Sequence, residues 1–464
     1  MEEYIKKLLE QVRFQKAHKA IGDEIRAHIE DQIEENISNG MDNETAEKRA
    51  VQDMGDPVEA GIELDKVHRP RIAWGVIISV VAVAIIGTVI QILLNNDPIL
   101  MEQGQYYTPD GRSCYFMVNS IMGICLMLAL YFLDFTVIAK YSRIIAIIWV
   151  AFFMVTALPH AVYGLFANGE ALSYENMPFV LRILEEIEWK FASNMLLLVP
   201  LYAGILYKYK GQKGKTLPKA LLWIIIPIFY ASVSYRYSRN EYVVIAICML
   251  VELTIAISKG WIHVQKKAVL VPIWGAFILT RVIAYINSIK NYTYDVADET
   301  YKKVIDSIYL FGAGTYYGQG DFQKASSCFV YDPKGANILI YISTTWGAFW
   351  AIVLIGIVVG LIIIGFITVS KSKNQLGLIM GSGCMVWLAA NAILNIISAF
   401  VVLPGCIGCL TFLPFVSDNY YNNIAYSYAA LGILLSIYKY KDAYSQDVEI
   451  ESVGVRNLLK DLNL

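Results

Sequence analysis

The sequence is short of charge. Only 17% of its 464 residues are Asp, Glu, Lys or Arg, and they nearly cancel to a net charge of -2. That leaves no global basic surface, so nucleic acid is not an expected partner. Histidine is scarce, at five residues, and the seven cysteines form no metal pattern. Cys406 and Cys409 make a CxxC, but no second pair or histidine stands at ligand spacing, so no metal site is expected. The first 70 residues are charged and amphipathic, which argues against a cleavable signal peptide. What fills the chain is apolar: 56% hydrophobic residues and a mean hydropathy of +0.49, with 31 Tyr and 9 Trp suited to interfacial belts. The fold class that follows is all-α, a polytopic membrane protein carrying a small cytoplasmic helical domain.

Residues 1–68 read as that domain. Ile21, Ile25, Ile29, Ile33 and Ile37 recur every four residues and draw one apolar stripe along a helix. Gly40 ends it, and Asp42 or Asn43 can cap a second helix carrying Ala46, Ala50 and Val51. Gly55-Asp56-Pro57 is a stop and restart, leading into a third helix with Val58, Ile62 and Leu64. His18, His28 and His68 read as surface or capping residues. Arg69 and Arg71 then precede apolar stretches at about 72–94, 114–134, 141–158, 190–207, 217–235, 241–258, 268–288, 337–369, 376–402 and 423–439. Most are long enough to cross roughly 30 Å of hydrocarbon, giving ten spans over residues 72–442 and a tail at 443–464.

Charge sets the orientation. Lys140 and Arg143, then Lys208, Lys210, Lys213, Lys215 and Lys219, then Lys259, Lys266 and Lys267, then Lys371 and Lys373 all fall on one side with Arg69, Arg71, Lys439 and Lys441. The positive-inside rule makes that side cytoplasmic and puts both termini inside. The other side carries the long connections 159–189 and 289–336.

The stretch most in need of explanation is NIISAFVVLPGCIGCLTFLPFVS, residues 395–417. Leu403-Pro404-Gly405 breaks an apolar helix, a second breaker stands at Pro414, and Ser417 begins a polar end. Irregular backbone at membrane depth is tolerated only where protein buries it or it lines a wet cavity. Both readings are open. On the outer side, TYKKVIDSIYLFGAGTYYGQG (residues 300–320) sets Gly312, Gly314, Gly318 and Gly320 among bulky residues, which permits tight turns and close backbone approach. It has no lysine and helix at P-loop spacing, so it is not read as a nucleotide loop. Two charges stand inside apolar spans: Arg281, toward the outer end of the seventh, and Glu252, in the sixth. Each is costly unless it is paired or faces a cavity. Arg281 has the alternative of snorkelling to the interface.

These residues carry a family resemblance. Ten spans with both ends inside and the largest outer loop between spans seven and eight, together with IDSIYLFGAGTYYGQG (305–320) and the 395–417 stretch, resemble the SEDS family (shape, elongation, division and sporulation). Ser307, Gly312, Gly314, Gly318 and Gly320 fall in register with its glycine segment. Asn395, Ile396, Leu403, Pro404, Gly408, Leu413, Pro414, Phe415 and Ser417 match its terminal motif if a short insertion follows Gly408. Residues 1–68 lie outside this likeness and resemble the prefix domain found before the first span of several membrane proteins in Gram-positive bacteria. The SEDS resemblance implies peptidoglycan assembly in the bacterial plasma membrane, in cell division or cell-shape control. Lipid II, or a related polyprenyl-linked precursor, would be polymerised by glycosyl transfer beside a class B penicillin-binding protein. It implies no resident cofactor and leaves open a divalent cation with the pyrophosphate.

The resemblance fails where that chemistry should lie. The family's aspartate before span eight falls on Ala336 or Asn337, and its following Glu-Glu pair on Thr344-Thr345. The nearest carboxylate is Asp332; Glu241 stands near the start of span six. These two are the candidate catalytic acid or base. Arg281 is the first candidate for the pyrophosphate, with Arg239 and Arg236 second; Gly312, Gly314, Gly318, Pro404, Pro414 and Ser417 complete the candidate substrate site. Cys114, Cys328, Cys406 and Cys409 are expected toward the outer face, free or paired, with three full pairings open. Three functions stay open: a lipid II polymerase, an inactive SEDS-fold protein binding a lipid-linked precursor or a partner, and a transporter of lipid-linked precursors.

Overall fold

The computed structural model describes residues 1–95, 112–166, 178–184, 196–213, 216–233, 239–290, 302–314, 338–400, 412–417, 423–444, 446–448 and 450. Four helices come first: α1 (Glu2–Glu10), α2 (His18–Ser38), α3 (Asn43–Asp53) and α4 (Pro57–His68). Asp42 caps α3 by accepting from the Thr45 amide, Asp56 caps α4 by accepting from the Val58 amide, and Pro57 opens α4. α1 was not foreseen. It buries Tyr4, Ile5 and Leu8 against α2 and α4, and Tyr4 donates to the Met54 carbonyl. The isoleucine stripe of α2 is buried at Ile21 and Ile29 but exposed at Ile37, because a repeat of four residues drifts about 40° per step round a helix of 3.6 residues per turn and carries Ile37 off the buried face. Val58 and Ile62 of α4 are likewise exposed, and α4 turns Gly61 and Asp65 inward instead. Asp65 accepts from the amide and the guanidinium of Arg13, which holds its carboxyl below the usual carboxylate range.

The membrane helices follow: α5 (Trp74–Asn95), α6 (Arg112–Phe132), α7 (Phe135–Phe166), α8 (Leu198–Tyr207), α9 (Leu217–Val233), α10 (Arg239–Ser258), α11 (Lys266–Lys290), α12 (Ile338–Thr345), α13 (Ala348–Ser370), α14 (Gln375–Phe400) and α15 (Asn423–Lys439). Five of them are long and apolar enough to cross a membrane as they stand: Trp74–Leu93, Phe135–Phe152, Lys266–Asn287, Ala348–Ser370 and Gln375–Phe400. Shorter apolar helices at Phe116–Phe132, Leu198–Tyr207, Leu217–Phe229, Val243–Ser258 and Ile424–Lys439 fall on the other five expected spans. The chain is an all-helical polytopic membrane protein. Two-residue strands at Gln212–Lys213 and Ile262–His263 form the one parallel ladder among the described residues.

α14 is the centre of the bundle. It packs on α8, α10, α12, α13 and α15, while α11 touches little but α10 and lies open along its length. The expected eighth span, read as one apolar run over 337–369, is two helices: the chain breaks at Trp346-Gly347 between α12 and α13.

The basic turns gather at one end. The ladder joins the α8–α9 turn to the α10–α11 turn. Trp261 Nε1 donates to Gln375 Oε1 at 2.5 Å, the Gln375 amide donates to the Gln446 carbonyl, and Lys210 pairs with Asp447. The four-helix unit docks at this same end. Lys16 Nζ meets Asp134 Oδ2 in the α6–α7 turn at 2.7 Å and lies 4.8 Å from the centre of the Tyr440 ring, which stacks on Phe14. His68 meets the Asp442 carbonyl, Arg71 lies 3.6 Å from the Asp442 carboxylate, and Tyr444 donates to Asp134. Burial pushes the Asp134 carboxyl up, but hydrogen bonds from Lys16, Tyr444 and the Thr136 amide outweigh it and hold it below the usual carboxylate range.

Candidate functional site

Two irregular segments approach α14 and its neighbours. The first is the end of the 395–417 stretch. Phe412, Leu413, Phe415, Val416 and Ser417 are all at most 1% exposed. Ser417 Oγ accepts from the Leu413 amide at 2.6 Å and donates to the Leu413 carbonyl at 3.2 Å, closing the turn around Pro414. Phe415 sits at φ 67°, a conformation few non-glycine residues adopt. It is held there by an edge contact with Tyr428 of α15, 5.4 Å between ring centres. α5 seals the other side: Gln91 Nε2 donates to the Val416 carbonyl at 3.1 Å. A Cβ on Gly87 would come within 2.8 Å of the Phe415 carbonyl. Phe412 packs on Trp387, which lies 13 residues, or roughly 20 Å, in from the end of α14. So the turn lies at membrane depth, and of the two readings open for it the described part is protein burial. Pro414 and Ser417, candidates for substrate contact, are buried in packing, and the Ser417 hydroxyl is engaged by backbone.

The second segment docks on the helix break. A short helical turn at 302–306 leads into Ser307, whose hydroxyl donates to the Val304 carbonyl. From there the backbone pairs with the break. The Ala348 and Phe349 amides, which open α13 and have no partner within that helix, donate to the Tyr309 and Leu310 carbonyls at 3.0 Å each. In return the Gly312 amide donates to the Trp346 carbonyl (3.1 Å) and the Gly314 amide to the Thr344 carbonyl (2.8 Å). Gly347 makes this possible. Its φ is 104°, and a Cβ there would lie 2.6 Å from the Leu310 carbonyl and 2.8 Å from Phe311 Cα. Gly312 also has positive φ, at 85°, and is exposed, whereas Gly314 is buried. Tyr309, Leu310, Phe311 and Trp350 are each more than half exposed, and Phe311 leans on Phe349 with ring centres 5.0 Å apart. α12 itself is buried from Ile338 to Thr344.

Of the charged candidates, Arg281 is exposed on α11 among Ile278, Leu279, Val282 and Ile283, and no ion pair to it is seen among the described residues. Arg239 and Glu241 lie in the first turn of α10; their side chains are outside the description. Asp332, Arg236, Gly318 and Pro404 lie outside the described residues, as do Gly320, Cys328, Cys406, Cys409 and the side chain of Cys114. Cys125, Cys248 and Cys384 are free thiols. Among the described residues no group of three or more His, Cys, Asp or Glu is placed to hold a metal ion. The helix break at Trp346-Gly347 is the feature sequence reasoning missed; a glycine directly after the bulky Trp346, inside an unusually long apolar run, was its one local signal.

No family model matches this chain, and no curated protein matches it. Among solved structures it is similar to a chain from the structure described as "structural coordination of polymerization and crosslinking by a peptidoglycan synthase complex", with 16% identity, covering 81% of this chain and 99% of that one, at a TM-score of 0.48. It is also similar to an Asp-to-Ala variant of the Thermus thermophilus rod shape determining protein RodA, with 15% identity, covering 80% and 98%, at a TM-score of 0.46. At that level of likeness neither says what this chain binds or does, which has to come from its own residues.

Proposed function

We propose that this protein is a SEDS-like membrane protein of peptidoglycan assembly, acting in cell division or cell-shape control. It engages lipid II or a related polyprenyl-linked precursor at the end of the bundle opposite the basic turns. The observation that carries the reading is the docking of residues 309–314 onto the α12–α13 break. This is the segment whose glycines match the family motif, and its register is fixed by backbone pairing while its side chains stay exposed. A lipid-linked disaccharide needs such an amphipathic edge, with aromatic surface for the tail and backbone and charge for the head. Arg281, open along the lipid-facing α11, supports the same reading as a grip for pyrophosphate. The basic end is the cytoplasmic one by the positive-inside rule, so both termini face the cytoplasm of a bacterial cell and the precursor is met outside. A class B penicillin-binding protein is the partner this role calls for.

In the enzymatic form of this reading, Asp332 or Glu241 takes the proton of the attacking sugar hydroxyl and the pyrophosphate leaves toward Arg281, Arg239 or Arg236. No cofactor is assigned, and a divalent cation would travel with the pyrophosphate. A specific observation favours a second form, in which the protein binds the precursor without polymerising it. The positions where the family keeps acids hold Ala336, Asn337, Thr344 and Thr345, and the Thr344 hydroxyl is taken up by the Ile340 and Tyr341 carbonyls. The deciding experiment is polymerisation of lipid II by the purified protein, with and without a class B penicillin-binding protein, comparing wild type with Asp332→Ala and Glu241→Ala. Glycan strands lost in one variant establish the transferase. No strands, with saturable lipid II binding, establish the binding form.

A further inference from the structure

Glu252 is the most anomalous residue in the bundle. It lies on α10 with no accessible surface, and among the described residues neither carboxyl oxygen has a hydrogen-bond partner. Its carboxyl fills the space over Gly383 of α14: a Cβ there would sit 1.9 Å from Glu252 Oε1, against Val199 of α8 on the other side. Every element packed on this point is poor in compensating charge. α8 and α14 contain no charged residue in their whole length. Lys219 of α9 and Lys266, Lys267, Arg281 and Lys290 of α11 are exposed and turned away. The titratable neighbours are Cys248 one turn back on α10, Cys384 on α14 and Tyr202 on α8, whose hydroxyl is already donated to the Ala220 carbonyl at 3.0 Å. None of these supplies a cation. An ionised carboxylate in such a place carries a desolvation penalty that no neighbouring cation offsets.

We infer that Glu252 is a proton-binding site, and that the close packing of α10 on α14 is the packing of its neutral acid. Ionisation passes the proton to water, and the carboxylate then needs that water beside it, so α10 and α14 must part at Gly383. Glu252 lies 6 residues from the end of α10 and Gly383 lies 8 from the start of α14. That places the site roughly 9–12 Å in from the basic end, the side with which the proton exchanges. The inference does not depend on which reaction, if any, the opposite end performs. It does give that end a control, because α10 begins with Arg239 and Glu241 and α14 leads into residues 401–417.

The test uses the full-length protein in nanodiscs. The wild-type-minus-E252Q infrared difference spectrum at neutral pH is expected to show the C=O stretch of a protonated carboxylic acid; carboxylate bands in its place overturn the proton site. Raising the pH is expected to abolish that acid band and, in step, to raise alkylation of Cys248 and Cys384 by a membrane-permeant maleimide, resolved by peptide mass spectrometry. E252Q at the same pH sets the intrinsic thiol rate and should stay protected. Gly383→Leu, whose bulk a shift of the Glu252 side chain cannot absorb, parts the helices and should be alkylated faster than wild type already at neutral pH. If wild type and E252Q alkylate alike throughout the titration while the acid band is lost, the coupling of protonation to packing is overturned. If E252Q does not fold, Glu252→Met, which fills the site without a titratable group, replaces it as the reference in both measurements, and the same outcomes decide the two claims.

Discussion

The two irregular segments are secured in opposite ways. Residues 412–417 are sealed: all six are buried, side chains from α5, α14 and α15 meet Val416, Phe412 and Phe415, a serine hydroxyl closes the turn, and Phe415 is kept in a strained conformation by what surrounds it. Residues 309–314 are pinned almost wholly by main-chain hydrogen bonds to a helix break, with large aromatic side chains left open. The difference separates structure from recognition. A buried turn whose one side-chain hydroxyl is already engaged by its own backbone serves the bundle that holds it. A segment whose register is fixed but whose face is free can meet a ligand without being rebuilt. Both segments belong to motifs with the same family likeness, so motif membership alone does not distinguish them.

Substitutions that act on one segment and spare the other test this contrast. The largest effect is expected at Gly347. Val there would occupy a region of backbone space essentially reserved for glycine, which costs about 1–3 kcal/mol, and its Cβ would overlap the Leu310 carbonyl and Phe311. Gly347→Val should release 309–314, raise amide exchange at Gly312, Gly314, Ala348 and Phe349, and abolish precursor binding while the rest of the bundle stays protected. Next comes Ser417→Ala. It strands the buried Leu413 amide and should lower stability by about 1–3 kcal/mol, read as a drop in Tm, with precursor affinity unchanged in the folded fraction. The smallest effect belongs to a third region, the docking of the four-helix unit. Lys16 is nearly half exposed, so Lys16→Ala should cost only about 1 kcal/mol of docking, seen as faster proteolysis near residues 12–17. Because Asp134 titrates below its unfolded value, its contribution is present above about pH 4 and is lost as pH falls through the lowered folded value. Asp134→Asn should remove that acid dependence.

Much of the fold was legible in the sequence because lipid constrains composition. Ten apolar stretches and the alternation of lysine-rich turns anticipated the helices and the end of the bundle where those turns meet. What failed to show was set by partners distant in sequence. Pro404 and Pro414 announce a broken segment, but nothing local says that Gln91, 325 residues from Val416, will cover it. The break at Trp346-Gly347 was hidden because α12 and α13 are both apolar and read as one run. α1 was overlooked because Tyr4, Ile5 and Leu8 stand among charged residues, and the α2 stripe, with its period of four, drifts round the helix until Ile37 leaves the buried face. At the candidate site, the glycines and Arg281 were legible as residue types. The sequence held no sign that Gly312 and Gly314 meet Trp346 and Thr344, since that pairing depends on the unforeseen break.

The most direct test of the central claim is equilibrium binding of lipid II to the purified protein in nanodiscs, comparing wild type, Arg281→Ala and Ser417→Ala. Saturable binding that weakens about tenfold or more in Arg281→Ala, in line with losing a charge-assisted contact, and that holds in Ser417→Ala is the predicted result. Binding that is absent in wild type, or that fails in Ser417→Ala while surviving in Arg281→Ala, would contradict the account.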